Sequence, residues 1–186
     1  DIFREAIAAG WCDNNPVEVT RSKKVVTKRE RLSLEQFMLI HAKAKEVGPI
    51  WLVHFMELAL LTAQRRGDVA KMKYRDIQGA TLKVVQQKNK KLDIEGHKVA
   101  IPMELGIAGF SLADTLARSR NVVSQFMVHH VKQQGQAKVG SKIRETSIAQ
   151  EFASIRAEVG IIGDNPPTVH EIRSLSGRLY AERYGD

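Results

Sequence analysis

Residues 49–68 read PIWLVHFMELALLTAQRRGD. From Ile50 to Leu61 the run is apolar except at His54 and Glu57, so no polar face emerges at a helical period. A segment of this kind is predicted as a helix buried on all sides, around which the other elements pack. It falls well short of the ~20 residues that span a bilayer. His54 and Glu57 lie three apart and are expected to meet as a satisfied buried pair. Just past the helix, Arg65 stands where a rigid core element would deliver a guanidinium to a defined point.

The neighbouring segments supply partners for this helix. Upstream, Ser33 with Gln36 forms a capping box ahead of Phe37, Ile40 and Ala44, and Gly48-Pro49 stops that helix. Downstream, Leu82 to Gln87 and Lys98 to Pro102 read as two strands of a hairpin with a long, lysine-rich tip. Ser111 with Asp114 caps a helix to about Arg118, and Gln125 to Val128 reads as a strand. Ser147 with Gln150 is a second capping box, leading into Ile148, Phe152, Ile155 and Val159 with Gly160 as the stop. Pro166-Pro167 precedes Thr168 and Glu171, a third box, and Ile172, Leu175 and Leu179 face the core from the last helix. The fold class is therefore α+β, mostly helical with a small antiparallel sheet or hairpin, and no internal repeat is present.

At the other end, Asp1 to Trp11 reads as the tail of a helix, and residues 13–31 have no sustained period and read as an interdomain linker. The 186 residues and 43% apolar content suit one full domain, or one domain with a fragment of a neighbour. Cys12 is alone, which excludes an internal disulfide or a cysteine-based metal site and fits a reducing cytoplasm. Asp1 and Arg4 lead straight into an amphipathic pattern rather than a signal peptide.

Charge points to a partner. Lys and Arg number 29 against 21 Asp and Glu, a formal +8. The excess is concentrated in three segments. Residues 20–31 (TRSKKVVTKRER) carry Arg21, Lys23, Lys24, Lys28, Arg29 and Arg31 against Glu30 alone. Residues 88–91 (KNKK) add Lys88, Lys90 and Lys91, and residues 132–144 add Lys132, Lys138, Lys142 and Arg144 without an acid. Solvated loops also carry such charge, but three basic segments flanking structured stretches make a phosphate-contacting footprint. Arg21, Lys23, Lys24, Lys28, Arg29, Arg31, Lys90 and Lys91 are accordingly the candidate phosphate-contacting residues.

Four further positions stand out beside a phosphate partner. They are Arg65 after the buried helix, Lys88 at the start of the hairpin tip, and His170 and Arg173, three apart on the first turns of the last helix. A helix N-terminus offers free N–H groups and a positive dipole end to an anion. Each residue alone is commonplace; their order and context are not.

With these blocks in view, the chain resembles the phage integrases of the tyrosine recombinase family, most closely the lambda type. The resemblance covers nearly the whole chain: DIFREAIAAG, LTAQRRGDVAKMKYRDI, VVQQKNKK, KVAIPM and NPPTVHEIRSLSGRLYAERYG. It implies a catalytic domain over residues 32–186, preceded by the end of a core-binding-domain helix (1–12) and a basic linker (13–31). It implies that Arg65 and Arg173 grip the scissile phosphate, that Lys88 is the general acid, that His170 is the histidine of H-x-x-R, and that Asp68 braces the active-site arginine. It also implies double-stranded DNA as substrate, assembly as a tetramer on attachment sites with accessory DNA-bending proteins, and a bacterial cytoplasm as the setting, with no membrane.

The chemistry suits those residue types. Attack on a phosphodiester builds charge on two non-bridging oxygens, which planar guanidinium groups neutralise. The leaving 5′ oxygen needs a proton, and a lysine among other cations gives one up more readily. No cofactor or metal is expected, since no His, Asp and Glu cluster has ligand spacing. Two departures from the family are present. Ala63 stands where glycine is usual, a methyl expected to be tolerated. The family's nucleophilic tyrosine and second histidine or tryptophan are expected beyond Asp186, and Tyr180 reads as packing rather than as the nucleophile. A non-catalytic DNA-binding module of the same fold and a type IB topoisomerase-like enzyme share these features and are the alternative readings.

Overall fold

The computed structural model describes residues 2–14, 30–86 and 98–185. Seven helices run through them: α1 (Ile2–Ala8), α2 (Leu34–Val47), α3 (Ile50–Thr62), α4 (Arg66–Val69), α5 (Leu112–Ser119), α6 (Glu145–Glu158) and α7 (Glu171–Tyr184). Five short strands accompany them: β1 (Ile77–Gln78), β2 (Thr81–Val85), β3 (Lys98–Pro102), β4 (Gly106–Ile107) and β5 (Phe110–Ser111). The first three form an antiparallel sheet in the order β1-β2-β3, and β4 and β5 pair as a separate hairpin. The α+β reading holds.

The reason α3 is central is visible residue by residue. Every position from Trp51 to Thr62 is buried, polar ones included. Its neighbours α2, α5, α6 and α7 cover it from all sides. Fully buried leucines such as Leu52, Leu58, Leu60 and Leu61 each contribute on the order of 1.5–3 kcal/mol by leaving water. At the base of α2 the capping box forms in full: Gln36 N–H donates to Ser33 Oγ at 3.1 Å and Ser33 N–H to Gln36 Oε1 at 3.0 Å. Gly48 ends α2 in extended backbone, as the residue before proline should. Its lack of a side chain matters for space, because a Cβ there would sit 2.8 Å from the Ala44 carbonyl oxygen.

The hairpin is found as expected, with β2 and β3 in register from Thr81↔Pro102 to Val85↔Lys98. Its tip, residues 87–97, lies outside the described residues, and with it Lys88, Lys90 and Lys91; so do residues 15–29, with Arg21, Lys23, Lys24, Lys28 and Arg29. Arg31 is described and exposed.

Four local expectations are corrected. Residues 125–128 form no strand: one bridge joins Lys73 to Phe126, and Phe126 N–H turns instead to Ser124 Oγ at 2.9 Å. The successive buried residues Met127, Val128 and His129 also break the alternation a half-buried strand needs. Helix α6 starts at Glu145, so Ser147 and Gln150 lie inside it rather than capping it. An acidic residue in the first turn suits the positive helix end. Helix α7 starts at Glu171 behind a backbone turn, Glu171 N–H to the Thr168 carbonyl at 2.9 Å, and the Thr168 hydroxyl does not cap it. Finally, Glu57 pairs across helices rather than with His54. Its carboxylate accepts from His41 Nε2 at 2.9 Å, from Thr115 Oγ1 at 2.7 Å and from the Arg118 guanidinium.

Candidate active site

The site is built where α3 ends. Ala63 terminates the helix in the left-handed region, with φ 51° and ψ 24°, and the chain then turns so that Arg65 sits at the N-cap of the short α4. Helix termini leave carbonyls without intrahelical partners, and two of those at the end of α3 are taken by α7. Ser176 Oγ donates to the Leu60 carbonyl at 2.5 Å and the Tyr180 hydroxyl to the Leu61 carbonyl at 2.7 Å. These bonds lock α7 against the end of α3 and so place Arg173, in the first turn of α7, beside the Arg65 turn.

The two arginines feel each other. Burial, and after it the Arg65 charge, pull the Arg173 guanidinium below its ordinary pKa, while Asp68 opposes the shift. Asp68 itself is buried in the first turn of α4. Among the described residues, Arg65 Nη1 and Arg173 Nη1 are both buried without a hydrogen-bond partner. Buried donors are nearly always satisfied, so two such guanidinium nitrogens in one charge-coupled cluster suit the binding of an anion.

A cavity of about 620 Å³ opens at this point, lined by Arg65, Asp68, Lys71, Arg156, Thr168 and His170 among others. His170 is exposed at its rim, in the α7 N-cap position. Thus Arg65 and Asp68 from one segment meet His170 and Arg173 from another, His170 at the cavity and Arg173 through its charge coupling to Arg65 and Asp68, while Lys88 lies outside the described residues.

Sequence reasoning missed several residues here. Glu145 enters the mouth of the cavity, 3.8 Å from Arg66 Nε and 3.7 Å from Lys71 Nζ. Arg156 clamps the loop ahead of Thr168, donating from Nε to the Ile161 carbonyl at 3.1 Å and from Nη1 to the Pro167 carbonyl at 2.9 Å. Its i, i+4 spacing from Phe152 put it beside the core face, but bonds to loop carbonyls leave no mark in sequence. Gln64, buried next to Arg65, likewise carries no signal in the sequence.

No protein-family model matches the chain. The integrase of Escherichia phage HK022 is 39% identical over 193 aligned residues, spanning 100% of this chain and 49% of that protein. The chain spans about half the length of the curated relatives it matches. Among solved structures, a lambda integrase tetramer bound to a Holliday junction aligns with a TM-score of 0.76 at 34% identity, over 99% of this chain and 52% of that one. The lambda integrase catalytic core aligns with a TM-score of 0.74 at 33% identity, over 85% of this chain and 90% of that one. The fold is that of the lambda integrase catalytic core. The chain belongs to the phage integrases of the tyrosine recombinase family.

Proposed function

We propose that the chain carries the catalytic domain of a site-specific recombinase that cuts and rejoins double-stranded DNA through a 3′-phosphotyrosine intermediate. The observation that carries this reading is the pair of buried, unpartnered guanidinium donors at Arg65 and Arg173. Two cations held together in a half-buried site repel each other and lose hydration, an arrangement that costs stability unless an anion completes it.

In this mechanism Arg65 and Arg173 bind the two non-bridging oxygens of the scissile phosphate, and Asp68 steadies the arginines by its charge. A tyrosine oxygen, which the family resemblance puts beyond Asp186, attacks phosphorus. The bond from phosphorus to the 5′ oxygen breaks, and Lys88 donates a proton to that oxygen. His170, at the cavity rim, holds the phosphate or takes the proton of the nucleophile. A 5′ hydroxyl from another strand reverses these steps, so the bond energy is kept and no nucleotide cofactor is consumed.

The same reading assigns residues 1–12 to the end of a core-binding domain, 13–31 to a basic linker and 32–186 to the catalytic domain. Arg21, Lys23, Lys24, Lys28, Arg29, Arg31, Lys90 and Lys91 contact the DNA backbone. Assembly is as a tetramer on attachment sites, with DNA-bending proteins as accessories, in the bacterial cytoplasm. Support comes from the relative solved as a tetramer on a Holliday junction, and among the described residues no helix is long and apolar enough to cross a membrane.

The test is a nicked duplex that traps covalent protein–DNA adducts in full-length protein. Arg65→Ala and Arg173→Ala should each abolish or cut adduct formation by ~10²-fold or more, the scale of a lost charge-stabilising contact. Retained adduct formation in both variants would overturn the assignment.

A further inference from the structure

We propose that Arg156 is a positioning residue for His170, holding the loop that delivers the imidazole to the cavity rim. The inference rests on the reading that His170 serves the scissile phosphate. Residues 159–170 connect α6 to α7, a long connection with no helix or strand of its own. His170 is exposed, so the backbone that leads to it, rather than packing around the ring, sets where the imidazole lies. Pro166 and Pro167 stand in that backbone. Neither has an N–H to donate, so hydrogen bonds can tie the pair only through its carbonyls.

Arg156 takes the carbonyl next to the turn into α7. Its Nη1 donates to the Pro167 carbonyl at 2.9 Å and its Nε to the Ile161 carbonyl at 3.1 Å. A guanidinium is planar and its donors keep a fixed geometry, so one group bonded at both carbonyls sets the separation of the two ends of the loop. The stretch from Ile161 to Pro167 thus closes as a compact loop on one side chain. Its apex is held separately, by Glu30 N–H donating to the Asn165 carbonyl at 3.0 Å. From Pro167 the chain enters the turn in which the Thr168 carbonyl accepts from Glu171 N–H at 2.9 Å, and His170 stands at the α7 N-cap. Arg156 lines the same cavity as Arg65 and His170, so the clamp lies within the site itself. Arg65 is presented by the end of α3 and His170 by the return of this loop. A displacement of about an ångström between two such groups costs a large part of what they do together.

Arg156→Lys keeps the charge in the cavity, but a lone ammonium cannot reproduce two bonds of fixed geometry. Full-length protein carrying it is assayed for single-turnover cleavage of a nicked suicide duplex, alone and combined with His170→Ala, with urea denaturation showing that each variant is folded. Arg156→Lys is expected to slow cleavage by ~10- to 100-fold, the scale of a misplaced catalytic group, with duplex affinity within about 3-fold of the parent. Once His170→Ala is present it should slow cleavage by less than about 3-fold more, because residues that act through one another are not additive. Arg156→Met, which removes charge and bonds together, should slow cleavage at least as much as Arg156→Lys. Parent-like cleavage by Arg156→Lys would overturn the proposal and leave Arg156 a role through charge alone. Equal slowing with and without His170 would also overturn it, since a merely structural role gives that result. His170→Ala by itself judges the underlying reading. Parent-like cleavage there would remove His170 from the chemistry and the proposal with it, whereas a slow His170→Ala beside a parent-like Arg156→Lys would sink the proposal alone.

Discussion

The Tyr180 hydroxyl donates to the carbonyl of Leu61 at 2.7 Å, joining α7 to the end of α3 directly beneath the Arg65 turn. Tyr180 also stacks on Tyr184, with ring centroids 6.1 Å apart. Burial, with a smaller contribution from Tyr184, pushes the Tyr180 phenol up to about 12, which disfavours the phenolate a nucleophile must approach. Its oxygen is thus committed to holding the scaffold together.

Tyr180→Phe should therefore leave strand cleavage in full-length protein within about 3-fold of the parent. It should lower unfolding free energy by ~1 kcal/mol, the net value of one hydrogen bond. A suicide duplex reads the first and urea denaturation the second. Loss of the covalent adduct in Tyr180→Phe would show that this tyrosine is the nucleophile after all.

Ala63 carries its methyl in a backbone region that glycine occupies freely and an L-residue enters at a cost of roughly 1–2 kcal/mol. The change from glycine is accommodated in place, with the strain retained. Ala63→Gly should stabilise the protein by about 0.5–1 kcal/mol after the extra entropy of the unfolded glycine chain is offset. Thermal unfolding should rise by a few degrees; an unchanged or lower midpoint would contradict this account.

Acid should weaken the core in two stages. Burial is the main force holding His54 at about 4, below its usual 6.5, despite the opposing Glu57 charge. The unfolded chain takes up the proton first, so stability falls as pH drops from 6.5 towards 4, by up to about 3 kcal/mol. For Glu57, burial pushes the pKa up, but hydrogen bonds from His41 and Thr115 and the Arg118 charge outweigh it and leave the carboxyl below its ordinary value. Its contribution is present above the ordinary carboxylate range and is lost at still lower pH. Urea denaturation between pH 7 and 4.5 should show the decline, and His54→Phe should flatten it above pH 4.5. An unaltered slope in His54→Phe would assign the effect elsewhere.

Glu145 offsets positive charge at the cavity mouth. Because its pairs with Arg66 and Lys71 are long and more than a third exposed, each is worth under ~1 kcal/mol. Glu145→Gln should tighten binding to random duplex DNA by about 2- to 5-fold. With a net charge of +8, affinity of both proteins should fall steeply as salt rises. Anisotropy titrations at two salt concentrations test both statements, and a flat salt response would count against backbone binding altogether.

The sequence by itself determined the framework. An apolar run without a polar face admits only a central helix, so α3 was legible from Ile50 to Leu61, and the Ser33–Gln36 box fixed the start of α2 because its two bonds are local. Arg65, His170 and Arg173 stood out in the sequence for a different reason: arginine and histidine are residue types suited to holding a phosphate. Tertiary structure decided what joins distant segments. Capping at Ser147 and Thr168 failed because the same short patterns also occur inside helices and turns, and only packing chooses among them. The partner of Glu57 proved to be α2 and α5 rather than its neighbour His54, since a buried carboxylate is satisfied by whichever donors the fold brings within reach. The locking of α7 onto the α3 carbonyls and the orphaned donors of Arg65 and Arg173 arise only when chain segments meet. Hydrogen bonds across such separations depend on three-dimensional proximity, and no periodicity along a chain encodes it.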